Sequence, residues 1–164
     1  IGPAGTGKTT TMKAIIRAAI LSNRIPIIES SEEHKFIPTD VPGIWGGSFT
    51  RIATRNLRDN FPDDLKNNVH TIHRLLEFEP TYQSVIAEDG TEKDVRVFKP
   101  TRDKQRLLPH SYRMFCFDEA SMVGCNLHQM VENAIPNIKN VQILYIGDIA
   151  QLPPVMDDSI LGYK

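Results

Sequence analysis

The sequence predicts an α/β domain: a parallel β-sheet with helices on both faces. Three observations carry this. A glycine-rich loop of pattern G-x-x-x-x-G-K-[ST] occupies residues 2–9 and runs into a helical period. A short apolar strand, 114–117, ends in two carboxylates, Asp118 and Glu119. A second apolar run, 141–146, has almost no polar alternation, as expected of a parallel strand covered on both faces.

The elements follow in chain order. Met12, Ile15, Ile16, Ala19 and Ile20 recur at i, i+3, i+4, i+7 and i+8, an amphipathic helix over 12–20. Residues 25–49 hold three Pro and three Gly with little period. They read as a long loop or insertion with a short strand at 26–28. Residues 50–53 are expected as a strand and 55–61 as a short helix. Another short helix is expected over 71–78, with Ile72, Leu75 and Leu76 inward. Two β-rich arms, 82–88 and 92–98, flank Asp89-Gly90, a strong hairpin signal. The stretch 99–113 is locally basic. Val123, Leu127, Met130, Val131 and Ala134 return to helical spacing until Pro136 stops them.

Composition narrows the class. The chain has 164 residues, of which 40% are hydrophobic and 24% charged. That is one domain's length with an ordinary core, which excludes a disordered chain. Two Cys are too few for a disulfide scaffold. Neither Cys116 nor Cys125 has metal-site spacing, and both are expected as buried thiols. No run of 18 apolar residues exists, so no membrane span or membrane partner is expected. Nineteen basic against 20 acidic residues give −1, a sum that can still hide a basic face.

The chemistry is concentrated in the loop and the acidic pair. Glycines let backbone N–H groups converge on phosphate oxygens without a Cβ in the way. Gly5, Thr6, Gly7, Lys8, Thr9 and Thr10 therefore form the candidate nucleotide cradle. The following helix points its positive end at the same anion. Lys8 is placed to reach the terminal phosphates of ATP, and the Thr9 hydroxyl to bind Mg²⁺. Asp118 is expected to hold the Mg²⁺ shell, and Glu119 to orient or deprotonate an attacking water. A third turn, 147–154, follows the last strand, where nucleotide crevices open in such sheets.

With these residues in hand the family likeness is specific. The ordered set GPAGTGKTT, TIH, DEASM and GDIAQLPPV resembles the superfamily 1B helicases, the RecD, Dda and Pif-type group. The hairpin looks most like that of the Dda type. The resemblance implies a RecA-like P-loop NTPase domain at 1–80 and 99–164, with a β-hairpin pin inserted at 81–98. It implies an ATP- and Mg²⁺-dependent motor on single-stranded DNA, moving 5′ to 3′ and opening duplex at single-strand/double-strand junctions.

By the same resemblance Gln151 senses the terminal phosphate. Thr54 and Arg55, in a motif lacking its customary Pro, contact DNA, as do Thr71 and His73. Tyr82 and Phe98 are the pin residues that would meet an exposed base, and the basic 99–113 stretch either lines the strand channel or is a solvated connection. Trp45 is expected to pack rather than stack on a base. A monomer in the cytoplasm, working with replication or recombination proteins, is also implied, and the Dda likeness points to a phage source. The chain opens inside its phosphate loop, without Met. It is therefore expected to be a piece of a longer protein, its second RecA-like domain lying outside and its own ATP turnover slow. Two alternatives stay open: a RecD-like subunit of a helicase–nuclease complex, and a non-motor ATP switch.

Overall fold

A computed structural model describes residues 1–3, 5–29, 36–148 and 150–161. Ala4 of the phosphate loop, part of the 25–49 segment, Ile149 and residues 162–164 lie outside the described residues.

Four parallel strands form the sheet. They are β1 (Ile44–Ser48), β2 (Val69–Thr71), β5 (Met114–Phe117) and β6 (Gln142–Tyr145), in the spatial order β2-β1-β5-β6. The helices are α1 (Lys8–Leu21), α2 (Arg51–Asn60), α3 (Ile72–Leu75) and α4 (Cys125–Ala134). Strands β3 (Glu79–Ile86) and β4 (Glu92–Lys99) form a separate antiparallel hairpin.

Pleat alternation divides the core between the two faces of the sheet. Trp45, Phe115 and Phe117 look one way and pack with Ile72 and Leu75 of α3 and Val131 and Ala134 of α4. Ile44, Met114 and Cys116 look the other way and meet Met12 and Ile16 of α1 and Leu57 of α2. Helices therefore cover both faces, as the apolar strands predicted.

The main departure lies in 25–53. The supposed insertion contains β1, one of the two inner strands, and the supposed strand at 50–53 is the start of a helix. Strand β1 has no alternation because all five of its residues are buried. Its glycines serve close packing: a Cβ on Gly46 would fall 2.7 Å from the Phe61 ring. On Gly47 it would run into the His70 carbonyl and the Trp45 ring. Thr50, just past the strand, starts the helix, its hydroxyl accepting from Ala53 N–H at 3.2 Å, an N-cap. The short strand expected at 26–28 reduces to a single bridge, Ile27 to Pro42. Trp45 is fully buried, as expected. It donates from Nε1 to His70 Nδ1 at 3.2 Å, and His70 Nε2 lies 3.1 Å from the Phe36 carbonyl.

The hairpin matches the sequence reading to within three residues at each strand end, and Gly90 supplies the positive φ (78°) its turn requires. The expectation for the thiols is half corrected. Cys116 is buried, and burial pushes its thiol up to about 12, whereas Cys125 in the first turn of α4 is exposed. Among the described residues no helix is long and apolar enough to cross a membrane.

Candidate nucleotide site and strand-end track

The phosphate loop connects the edge of the sheet to α1. Gly2 N–H donates to the Gly147 carbonyl at 3.1 Å, which lays the start of the loop beside the end of β6. Gly5 (φ 78°) and Gly7 (φ 79°) both adopt left-handed backbone that a side chain would strain. Gly7 caps α1 with no side-chain partner, so the helix's first N–H groups are left facing the loop. The Thr6 hydroxyl donates to the Pro3 carbonyl at 2.8 Å. Lys8 folds its ammonium over the loop onto the carbonyls of Gly2 and Pro3. Thr10 is exposed on the first turn of α1.

Strand β5 delivers the carboxylates to the same end. Asp118 N–H donates to the Gly47 carbonyl and Ala120 N–H to the Ile146 carbonyl, each at 2.9 Å. Between them Glu119 takes left-handed backbone (φ 49°, ψ 46°), a conformation that costs a non-glycine residue about 1–3 kcal/mol. The turn is held by Asp118 Oδ1, which accepts from Glu119 N–H at 2.9 Å. Burial raises the Asp118 carboxyl above its ordinary range, against the lowering pull of the Glu119 N–H bond and the Lys8 charge. Glu119 is raised as well, by burial and by the neighbouring Asp118.

Thr9 and Asp118 line one small cavity of about 110 Å³, together with Asn56 and Asn60 of α2. A hydroxyl, a carboxylate and two amides are hard oxygen donors, and such donors suit a magnesium ion that keeps part of its water. The two asparagines escaped the sequence reading; their i, i+4 spacing on α2 was the available signal. Among the described residues no group of three or more His, Cys, Asp or Glu could hold a metal on its own.

The third turn joins the site through its backbone. A Cβ on Gly147 would stand 3.2 Å from Ala120 N, so the turn passes directly against the acidic strand's continuation. Asp148 organises it, accepting from Ala150 N–H at its Oδ1 (2.9 Å) and from Gln151 N–H at its carbonyl (3.1 Å). The Gln151 side chain is exposed.

The residues expected on DNA divide into two groups. Thr71 ends β2 and caps α3, its hydroxyl accepting from Arg74 N–H at 3.3 Å. His73 sits between two rings, 5.5 Å from Phe49 and 4.8 Å from Phe78, and burial lowers its pKa. Phe49, Thr50, Thr71 and His73 thus cluster where β1 and β2 end. Thr54 does not join them. It is buried, with its hydroxyl donating to the Thr50 carbonyl at 2.7 Å, because it lies one helical turn inside α2. Arg55 lies on α2 in a cavity with Arg51, Arg58 and Arg74.

On the hairpin, Tyr82 faces Arg96 and Pro80 faces Phe98, so all four share one face. Tyr82 and Phe98 are 72% and 59% exposed, and the Arg96 guanidinium lies 5.3 Å over the Phe98 ring. The basic stretch that follows is only partly available. Arg102 and Arg106 both bond Glu77, at 3.1 and 2.7 Å.

Known proteins are similar to this chain over most of its length. The model of the AAA domain family matches residues 1–157. An uncharacterized protein of Acanthamoeba polyphaga mimivirus is 31% identical over 163 residues, 94% of this chain and 28% of that protein. The RecBCD enzyme subunit RecD of Buchnera aphidicola is 28% identical over 170 residues, 98% of this chain and 23% of that protein. A crystal structure of Bacteroides Pif1 bound to ssDNA superposes with a TM-score of 0.47 at 20% identity, covering 95% of this chain and 29% of that one. The chain therefore spans less than a third of each of these relatives. With the phosphate loop, the acidic strand and the turn after β6 all inside the matched span, the chain belongs to the AAA domain family.

Proposed function

We propose that this domain is the ATP-binding motor half of a superfamily 1 DNA helicase, taking ATP with Mg²⁺ and moving 5′ to 3′ on single-stranded DNA. The observation that carries the reading is the convergence of Lys8, Thr9, Asp118 and Glu119 at the strand ends, with Thr71 and His73 at the neighbouring ends of the same sheet. Nucleotide and strand would then be held by adjoining loops of one rigid sheet. The RecD relative is in keeping with this.

The roles follow from chemistry. The loop N–H groups and Lys8 hold the terminal phosphates. Thr9 and Asp118 would hold the magnesium ion, which neutralises charge on the phosphates. Glu119, its pKa raised by burial and by the neighbouring Asp118, accepts the proton of the attacking water. Gln151, on an exposed turn tied to the acidic strand, reads the terminal phosphate. Thr71 and His73 grip the strand, and Tyr82 and Phe98 meet the first unpaired base, where stacking is worth about 1–3 kcal/mol. Hairpin and motor would act as one unit, 81–98 within 1–80 and 99–164, in a cytoplasmic monomer serving replication or recombination.

The test uses the full-length protein. Single-stranded DNA should stimulate ATP hydrolysis, and a forked duplex with a 5′ tail should be opened. Lys8→Ala should lose nucleotide binding and hydrolysis together. Stimulated hydrolysis without strand displacement on either polarity would favour an ATP switch instead.

A further inference from the structure

Helix α2 has two working sides. Asn56 and Asn60 face the cavity of Thr9 and Asp118. Arg51, Arg55 and Arg58 stand at i, i+4 and i+7, one face of a helix, and line a different cavity of about 470 Å³. Its other wall is β2 and α3, which contribute His70 and Arg74. Among the described residues four guanidiniums thus meet in one groove against the single carboxylate of Asp59, in a chain whose net charge is −1.

The groove is braced. Arg58 donates to the Val69 carbonyl from Nη2 (2.6 Å) and Nε (3.3 Å), which fixes its charge beside β2. Arg74 lies 5.0 Å over the Phe36 ring. His70 is buried between Trp45 and the Phe36 carbonyl, so it serves as a fixed wall. Arg51 and Arg55 are exposed at the mouth. A cleft lined by one sign of charge focuses its field, and arginine forks match phosphate oxygens in pairs.

We propose that this groove is a second phosphate-backbone site, set off from the strand-end track at Phe49, Thr50 and His73, that holds nucleic acid on the hairpin side of the domain. The position supports this occupant. Thr71 belongs to both the track and the groove, so the two surfaces are continuous. Arg74 lies on α3, and the chain runs from α3 into the hairpin at Glu79. Strands parted at the hairpin would therefore have phosphates near the groove. The ligand chemistry is a phosphodiester chain, supplied either by the tracking strand or by the duplex arm. The inference rests on the DNA-motor reading and narrows where DNA lies.

The test measures the affinity of the full-length protein for a single strand, a blunt duplex and a fork across a potassium chloride series, by fluorescence anisotropy. The variant is Arg51→Gln with Arg55→Gln, both at exposed positions. Counterion release weakens the log–log slope by about 0.7 per lost contact on a single strand and about 0.9 on duplex. If the duplex arm fills the groove, the slope should fall by about 1.8 on duplex and fork, and hold on the single strand. If the tracking strand fills it, the slope should fall by about 1.4 on the single strand and fork, and hold on the blunt duplex. Arg51→Lys with Arg55→Lys, which keeps the charges, should keep the slope. Unchanged slopes on all three substrates, with binding intact, would overturn the groove and leave the motor reading standing. A parent protein that binds none of the three would overturn the motor reading itself.

Discussion

Replacing Glu77 with Gln keeps the side chain's volume and removes its charge at the root of the hairpin. Glu77 Oε1 lies 3.1 Å from Arg102 Nη2, and Oε2 lies 2.7 Å from Arg106 Nη1. The side chains are 7% exposed for Glu77, 0% for Arg102 and 40% for Arg106. Backbone bonds close the same knot: Thr101 and Arg102 N–H both donate to the Leu76 carbonyl, and the Thr101 hydroxyl to the Glu77 carbonyl. These join the residues before β3 to those after β4.

The buried bond to Arg102 is charge-assisted and worth about 1.5–3 kcal/mol. The half-exposed one to Arg106 adds about 0–1 kcal/mol. Glu77→Gln should therefore cost about 2–4 kcal/mol, or about 4–16 °C in Tm for a domain of this size. Urea denaturation followed by emission from Trp45, the chain's one tryptophan, measures it. Arg106→Gln should cost less than about 1 kcal/mol. A Glu77→Gln variant within about 0.5 kcal/mol of the parent would refute the clamp. If the clamp aims the hairpin, the same variant should lose strand separation more than DNA-stimulated hydrolysis.

Three further outcomes are expected. Glu119→Gln should leave ATP binding intact and slow hydrolysis at least 100-fold in the full-length protein, checked by single-turnover kinetics, since a positioned base contributes about 10²–10⁴-fold. Shortening the hairpin between residues 81 and 98 should spare DNA-stimulated ATPase and abolish duplex opening; loss of both would make the hairpin a structural element only. Acid should weaken the domain through His70, whose pKa burial lowers from 6.5 to about 4. The unfolded chain takes that proton first, so this stability is full above about pH 6.5 and is lost as pH falls toward 4, by about 3 kcal/mol in all. His73 and His128 shift in the same direction. In a series of denaturation curves His70→Gln should flatten much of that limb.

What the sequence determined by itself was the local chemistry. The glycine pattern before Lys8 needs only a tight loop and a helix start, and both are encoded within ten residues. The apolar run at 114–117 and the Asp-Gly turn at 89–90 are likewise local signals, and both elements stand where they were read. Strand β1 was illegible because its burial on all sides erases alternation, and its glycines answer to Phe61, 15 residues beyond Gly46, and to His70, 23 residues beyond Gly47. Tertiary structure alone decided which charges are spent and which are offered. Arg102 and Arg106 read as part of a basic tract, yet they converge on a carboxylate 25 and 29 residues earlier. Thr54 read as a DNA contact, yet the Thr50 cap turned it inward. Arg51, Arg55 and Arg58 became a groove only when β2 and α3 closed beside them. A charge's availability depends on what the fold places against it, and that information is distributed over the whole chain.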